Sequence, residues 1–361
     1  MITAAGCRQR REDLFQRLHR ELGADRFLFT DPITLRYLAN FGPDPISLNA
    51  EFSGVLLLCS GGEAHLICDN RLAARAKLAF AEKIDVVNWY DGQSAGKGTR
   101  RNALAEAVSS LGAALRDDPF LPVGYKIQAI VGEQRRAKYP DEVAQLKRCM
   151  QVAEAGFRWA RQNVSAGMTE LEVYSGIVQA CNRAAERAVI VYGDFAVSPG
   201  SSRRGGAATT QVLKTGDTLI LDYSVVLEGY RSDFTNTLCV GGEPSKDQQN
   251  LMRVCQQAMQ AGENLLRAGG VCQTIYDVVA EVFRSQGLLS HFPHHAGHGL
   301  GLTHPEAPFF VLHSSEQLLA GDVVTLEPGL YIDGIGGVRI EHNYLITEAG
   351  FERLSNHEIG F

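Results

Sequence analysis

The stretch Asp217-Thr-Leu-Ile-Leu-Asp222-Tyr-Ser-Val-Val-Leu-Glu-Gly-Tyr-Arg-Ser-Asp233-Phe-Thr-Asn-Thr restricts the fold of this chain more than any other. Two runs of Leu, Ile, Val, Tyr and Thr flank Leu227-Glu228-Gly229, the pattern of two antiparallel strands joined by a tight turn. A turn centred between Leu227 and Glu228 sets Asp222 directly opposite Asp233. Like charges opposed across a ladder repel, and the neighbouring Ile220 and Leu221 leave little water to screen them. A bound cation removes that penalty. A shifted register, or one Asp turned to solvent, removes it as well.

The C-terminal half supplies more groups of the same kind. Seven of the ten histidines fall between His291 and His342, most of them in His291-Phe-Pro-His294-His295-Ala-Gly-His298-Gly-Leu-Gly-Leu-Thr-His304. Glycines on both sides of His298 let the backbone approach whatever its imidazole touches. His19, His65, His313 and His357 lack such surroundings and read as ordinary core or surface residues. Glu327 and Glu341 lie in apolar strand patterns, where an ionised carboxylate needs a partner. Arg339 could serve Glu341, but Glu327 has no neighbouring cation in sequence. Two Asp, one His and two Glu form an oxygen-rich set suited to hard divalent ions, manganese first with cobalt or zinc as alternatives. Four carboxylates match the charge of two such ions, which together can activate a water and polarise a carbonyl. The chemistry implied is hydrolysis.

A chain of 361 residues has room for two domains at about 150 residues each. Its net charge of -6 and the absence of a dense Lys/Arg run argue against a nucleic-acid partner; Arg8, Arg10, Arg11 and the pair Arg203-Arg204 read as solvated surface. No apolar run reaches the ~18 residues of a membrane span, and the N-terminus has no signal-type apolar core, so a cytoplasmic location without membrane attachment is expected. The eight cysteines are scattered without a Cys-x-x-Cys pair and read as reduced thiols.

Periodicity predicts helices over 11–22, 32–38, 71–82 and 100–115, and strands over 27–30, 54–58, 64–68, 84–89 and 121–124, an alternating α/β layer domain. A boundary is expected near 132–140. Beyond it, helices are predicted over 141–163, from the Thr169-x-x-Glu172 capping box toward Ala188, over 246–267 and over 275–286. Strands are predicted over 322–327 and 338–347, making this half α+β.

Taken in order and spacing, Leu221-Asp222-Tyr223, Ser232-Asp233-Phe234-Thr235, Gly297-His298-Gly299-Leu300-Gly301, Leu326-Glu327-Pro328-Gly329 and Val338-Arg339-Ile340-Glu341 resemble the metal-site motifs of the pita-bread metallopeptidases. That family includes methionine aminopeptidase, aminopeptidase P, prolidase and creatinase. The N-terminal part, with Thr30-Asp-Pro-Ile-Thr-Leu-Arg-Tyr-Leu38, looks like the small domain of the prolidase, aminopeptidase P and creatinase branch. The resemblance implies an α+β chain: a C-terminal pita-bread (creatinase/aminopeptidase) domain over 138–361, preceded by a smaller creatinase-like α/β domain with a mixed sheet over 1–135. It implies Asp222, Asp233, His298, Glu327 and Glu341 as ligands of two divalent metal ions, most simply Mn2+. Glu327 would double as the proton shuttle, and His294 and His304 would meet the substrate. Thr235 and Tyr223 would support the ligands, while Arg339 would organise the site or bind a carboxylate. The implied substrate is a small proline-containing peptide, cleaved before proline, and the implied assembly is a homodimer.

Three departures bear on the substrate. The branch carries a histidine about seventeen residues before the first Asp, where this chain has Gly205. Its second substrate histidine lies seven residues after the ligand; His304 lies six after His298. The segment from Pro305 to Glu327 contains no Lys or Arg for a substrate carboxylate, with His313 near the usual arginine position. A non-peptide C–N bond as substrate, or a non-catalytic binding role, are the alternatives these departures leave.

Overall fold

Leu14 and Leu18 lie four residues apart on α1 (Ala4–Leu22) and are fully buried, and Gly23 ends the helix at φ 67°, the left-handed cap that glycine adopts without strain. Strand β1 (Arg26–Phe29) follows, then α2 (Pro32–Ala39), whose N-cap Asp31 accepts from the Thr34 backbone N–H. The computed structural model describes residues 1–43 and 53–361. It divides them into two units, Met1–Arg135 with Tyr139–Glu142, and Arg136–Lys138 with Val143–Phe361.

The first unit continues through β2 (Gly54–Cys59), β3 (Ala64–Asp69), β4 (Lys83–Val87), α3 (Arg100–Ser109), β5 (Leu115–Arg116) and α4 (Pro122–Gln134). Its sheet runs β4-β3-β2-β1-β5, parallel at both outer pairs and antiparallel between them. Three expectations fail locally. The segment 71–82 is helical only at its start, in a 3-10 turn at Asn70–Leu72 and one α-helical turn at Ala73–Ala76. The helix expected to 115 stops at Ser109, and Leu115 joins the sheet edge. Leu121 to Gly124 begin a helix instead of forming a strand, because Pro122 sits at the first helical position, where its missing N–H and fixed φ are no handicap. Arg10 and Arg11 are not solvated either. Both are almost fully buried and donate to carbonyls, Arg10 to Tyr37 O and Arg11 to Leu38 O, Gly62 O and Phe80 O. Tyr37 and Leu38 end α2, where carbonyls lack intrahelical partners.

The second unit contains α5 (Pro140–Asn163) from Val143 onward, α6 (Glu170–Ala185), β6 (Ile190–Val197), β7 (Thr218–Leu227), β8 (Tyr230–Arg231), β9 (Phe234–Cys239), α7 (Lys246–Glu263) and α8 (Cys272–Ser285). The Thr169–Glu172 capping box is fully formed. Then come β10 (Gly297–Gly299), β11 (Glu306–Phe310), β12 (Val323–Leu326), β13 (Gly329–Ile332), β14 (Gly336–Arg339), β15 (His342–Ile346) and β16 (Phe351–Arg353). One sheet joins β6, β7 and β8, with β9 on β7; another runs β11-β10-β12-β15-β16, and β13 pairs with β14. The strand expected over 338–347 is therefore two strands in different sheets, broken at Ile340 and Glu341.

Apolar faces of α7 (Leu251, Val254, Cys255, Ala258) and α8 (Ile275, Val279, Phe283) pack on Val324, Leu326, Leu330, Val338 and Ile340. Each such fully buried aliphatic side chain contributes roughly 1.5–3 kcal/mol. This core backs the strands that end at Glu327, Arg339 and Glu341. Among the described residues, no helix is long and apolar enough to cross a membrane, and all eight cysteines are free thiols.

Candidate metal centre

The hairpin at the centre of the sequence argument forms, with its turn one residue later and its pairing register shifted by two. Glu228 and Gly229 both take positive φ, 51° and 82°, the requirement of a two-residue I′ turn. Leu227 therefore pairs with Tyr230, and Asp222 faces Thr235 instead of Asp233. Side chains alternate in strands, so Asp222 and Ser224 share a face, and Asp233 reaches it opposite Ser224, whose Oγ lies 3.4 Å from Asp233 Oδ1. The two aspartates converge as diagonal neighbours.

Three carboxylates meet there. Oxygens of Asp222, Asp233 and Glu341 lie within 4.8 Å of one another, as do ligand atoms of Asp233, His298 and His304. Glu341 is 1% exposed; Thr235 Oγ1 donates to its Oε2 at 2.7 Å, while Oε1 has no partner. Burial, then the charges of Asp233, Glu327 and Asp222, push its pKa well above the usual range. Burial also raises Asp222 to about 7, against the lowering effect of Arg339. An orphaned buried oxygen among repelling carboxylates, with an imidazole at the edge, is a donor set that fits divalent cations.

His298 sits on β10 with Nδ1 2.9 Å from Gly299 O. A carbonyl only accepts, so Nδ1 carries a hydrogen, which leaves Nε2 as the ring atom able to ligate. That Nε2 lies 3.4 Å from both Asp233 Oδ2 and Glu327 Oε1. The flanking glycines serve the neighbouring strands and not the imidazole. A Cβ on Gly297 would stand 2.2 Å from Thr325 O, and one on Gly299 2.1 Å from Ala307 O.

Glu327 accepts from Thr325 Oγ1 at 3.1 Å, and His295 Nδ1 lies 3.3 Å from its Oε1. Burial pushes its carboxyl up, but contact with and charge on His295, helped by His298 and His294, hold it well below the usual carboxylate range. His304 Nε2 stands 2.8 Å from Asp233 Oδ2, within the ligand group. His294 is committed on both nitrogens, Nδ1 to His295 O at 2.7 Å and Nε2 to Tyr331 Oη at 3.0 Å. Burial lowers its pKa to about 4, so the ring is neutral, donates from Nδ1 and accepts from Tyr331.

Arg339 does not pair with Glu341. Its Nη1 donates to Tyr331 Oη at 2.7 Å, and its Nη2 to Asp194 Oδ2 at 2.6 Å and Asp222 Oδ2 at 2.5 Å. Tyr223 lies away from the carboxylates, on the opposite strand face from Asp222. Its hydroxyl donates to Ala153 O, and its ring stacks on Phe157 and Phe195. Asp194, His295 and Tyr331 escaped the sequence reading. His295 adjoins a recognised histidine, but nothing local marks Asp194 or Tyr331. Asp194 stands where the missing histidine would begin, since a Cβ on Gly205 would lie 1.9 Å from its Oδ2. The carboxylate of Asp194 occupies the space a side chain at 205 would need. Asp194, Asp222, Asp233, Glu327, Arg339, Glu341, His294, His295, His298 and His304 line a cavity of about 370 Å³, in the range of small-ligand sites.

Comparison with known proteins accords with this geometry. Residues 144–348 match Metallopeptidase family M24, and residues 11–120 match the Creatinase/Prolidase N-terminal domain. The chain is 26% identical over 354 residues to an uncharacterized peptidase of Staphylococcus aureus (strain USA300), covering 93% of this chain and 95% of that one. Among solved structures it is similar to the Xaa-Pro dipeptidase from Bacillus anthracis, at 29% identity and TM-score 0.78 over 99% of both chains. The X-Pro aminopeptidase from Thermotoga maritima shares the fold at 24% identity and TM-score 0.79, covering 96% of this chain and 98% of that one. With more than half its length matched by the family's pattern, this α+β chain, a creatinase-like domain followed by a pita-bread domain, belongs to Metallopeptidase family M24.

Proposed function

We propose that this chain is a dinuclear-metal peptidase that hydrolyses the bond before proline, as an Xaa-Pro dipeptidase or Xaa-Pro aminopeptidase. The observation that carries the reading is the convergence of Asp222, Asp233 and Glu341 around an unpartnered Glu341 oxygen, with His298 and Glu327 beside them. The full-length likeness to an Xaa-Pro dipeptidase supports the choice of bond. Residues 1–135 would be the creatinase-like domain and 138–361 the catalytic one, in a cytoplasmic homodimer.

Asp222, Asp233, His298, Glu327 and Glu341 would hold two divalent ions, most simply manganese. When bound, such ions acidify water and polarise a carbonyl oxygen. The rest of the work falls to the protein. Glu327, held by Thr325 Oγ1 and lying against His295, is placed to take a proton and return it to the leaving nitrogen. Arg339 fixes the orientation of Asp222 through a charge-assisted hydrogen bond. Through Tyr331 it also fixes the tautomer of His294, which burial keeps neutral. His304, part-exposed beside Asp233, stands where a substrate would enter.

The test is turnover of Xaa-Pro and Xaa-Pro-Xaa peptides by protein stripped with chelator and reloaded with Mn2+. Metal-dependent release of the N-terminal residue supports the reading; no turnover of either class with metal bound removes it. Gly205, backed by Asp194, favours a second reading, a non-peptide C–N bond as substrate. A screen of small amides and guanidino compounds separates the two.

A further inference from the structure

Where the substrate's own charge is met is a separate question from where its bond is cut. The cavity is lined by Asp194, Asp222, Asp233, Glu327 and Glu341, which repel an anion, and by two guanidinium groups, Arg339 and Arg204. Arg339 is buried and committed to Asp194, Asp222 and Tyr331. Arg204 is exposed and makes no hydrogen bond or ion pair with any described residue. The segment from Pro305 to Glu327 contains no Lys or Arg.

The loop that carries Arg204 is held on both sides. Arg203 forks onto Glu170, Nη1 to Oε1 at 2.7 Å and Nη2 to Oε2 at 2.9 Å, and Glu170 is fully buried. On the other side Gly206 N–H donates to Asp194 Oδ1 at 2.7 Å, and Phe195 N–H donates to Gly206 O at 2.9 Å. Ser201 N–H donates to Asp333 Oδ1 at 2.8 Å. Arg203 is thus turned inward to Glu170 and Gly205 has no room for a side chain, which leaves Arg204 as the group this loop offers the cavity. A backbone so anchored leaves only the side chain to be ordered on binding, and guanidinium groups bind carboxylates through paired hydrogen bonds.

We propose that Arg204 binds the free α-carboxylate of the residue after the scissile bond, so that the chain selects dipeptides over longer or amidated peptides. The inference rests on the proposed cleavage before proline, but its test separates the two. The native protein, Arg204→Ala and Arg204→Lys, all Mn-loaded, are assayed with Ala-Pro and with Ala-Pro amide. Binding of the non-hydrolysable reduced-bond isosteres of both is measured by calorimetry. Loss of a charge-assisted pair corresponds to roughly a 10- to 100-fold effect. Arg204→Ala should lose that much kcat/KM on Ala-Pro, chiefly through KM, and weaken the acid isostere equally. The amide compounds should change less than about threefold, and Arg204→Lys should recover part of the loss.

If the native protein cleaves both substrates and Arg204→Ala leaves the acid-to-amide ratio unchanged, the proposal fails while the bond assignment stands. If the native protein cleaves neither, yet binds the acid isostere more tightly in an Arg204-dependent way, the bond assignment fails and the carboxylate site stands. Equal binding of acid and amide by the native protein overturns the proposal outright.

Discussion

Arg339 Nη2 lies 2.6 Å from Asp194 Oδ2 and 2.5 Å from Asp222 Oδ2, so one nitrogen serves a carboxylate that no motif marks and one that a motif does. The guanidinium is 6% exposed and offsets charge that burial would otherwise leave uncompensated. Arg339→Ala is expected to destabilise the metal-free protein by about 3 kcal/mol, the usual consequence of breaking a buried pair from one side. Denaturant titration with chelator present measures it. Arg339→Lys should recover only part, since an ammonium cannot span Tyr331 and both carboxylates with one planar fork.

Glu341→Gln mimics the protonated carboxyl that burial favours, and Thr235 can still donate to its remaining oxygen. Metal-free stability should therefore fall by less than about 0.5 kcal/mol or rise, because a repelling charge is gone. Stabilisation by Mn2+, about 2.7 kcal/mol for the native protein at a hundredfold excess over Kd, should largely vanish. Thermal melts with and without Mn2+ measure both quantities. A fall of 2 kcal/mol or more in the metal-free state would contradict the placement of this carboxylate.

Gly297→Ala should cost about 3 kcal/mol through overpacking, because the added methyl meets a backbone carbonyl and not a flexible side chain. As β10 shifts, His298 moves too, so Mn2+ affinity should fall at the same time. Gly350→Ala, with open space around the Cβ position, is the control and should change neither quantity.

His357 gives the fold a pH dependence outside the metal centre. It is buried against Phe157 and Phe234, its Nε2 lies 3.0 Å from Thr235 O, and burial lowers its pKa to about 4, with Arg161 and Arg353 adding. The folded pKa lies below the unfolded value of about 6.5, so the unfolded chain binds the extra proton between these limits. The stability from this group is complete above about pH 6.5 and lost as pH falls toward 4, up to roughly 3 kcal/mol in all. Unfolding titrations at several pH values in chelator, native against His357→Gln, should show a shallower acid loss in the variant.

How far the sequence could be read follows from the range of the interactions. Helix caps at Asp31 and Thr169 and the stop at Gly23 are local, and their residues announce them. Asp222 and Asp233 were legible because a hairpin is nearly local, yet the register depended on whether Glu228 accepts a positive φ, which composition does not reveal. Pro122 reads equally as a helix start or a strand edge, and only its place in the first unit chose the helix. Asp194 pairs with a residue 145 positions away, and neither its own neighbours nor those of Tyr331 mark the pairing. Arg10 and Arg11 looked like solvated charge because their partners, backbone carbonyls and the carboxylates of Asp141 and Glu82, lie far away in sequence and leave no local mark.

The most direct measurement is an anomalous difference map at the manganese edge from crystals of Mn-loaded protein. Two peaks bounded by Asp222, Asp233, His298, Glu327 and Glu341 are the expected result. A single weak peak, or ions bound away from these five side chains, would contradict the account.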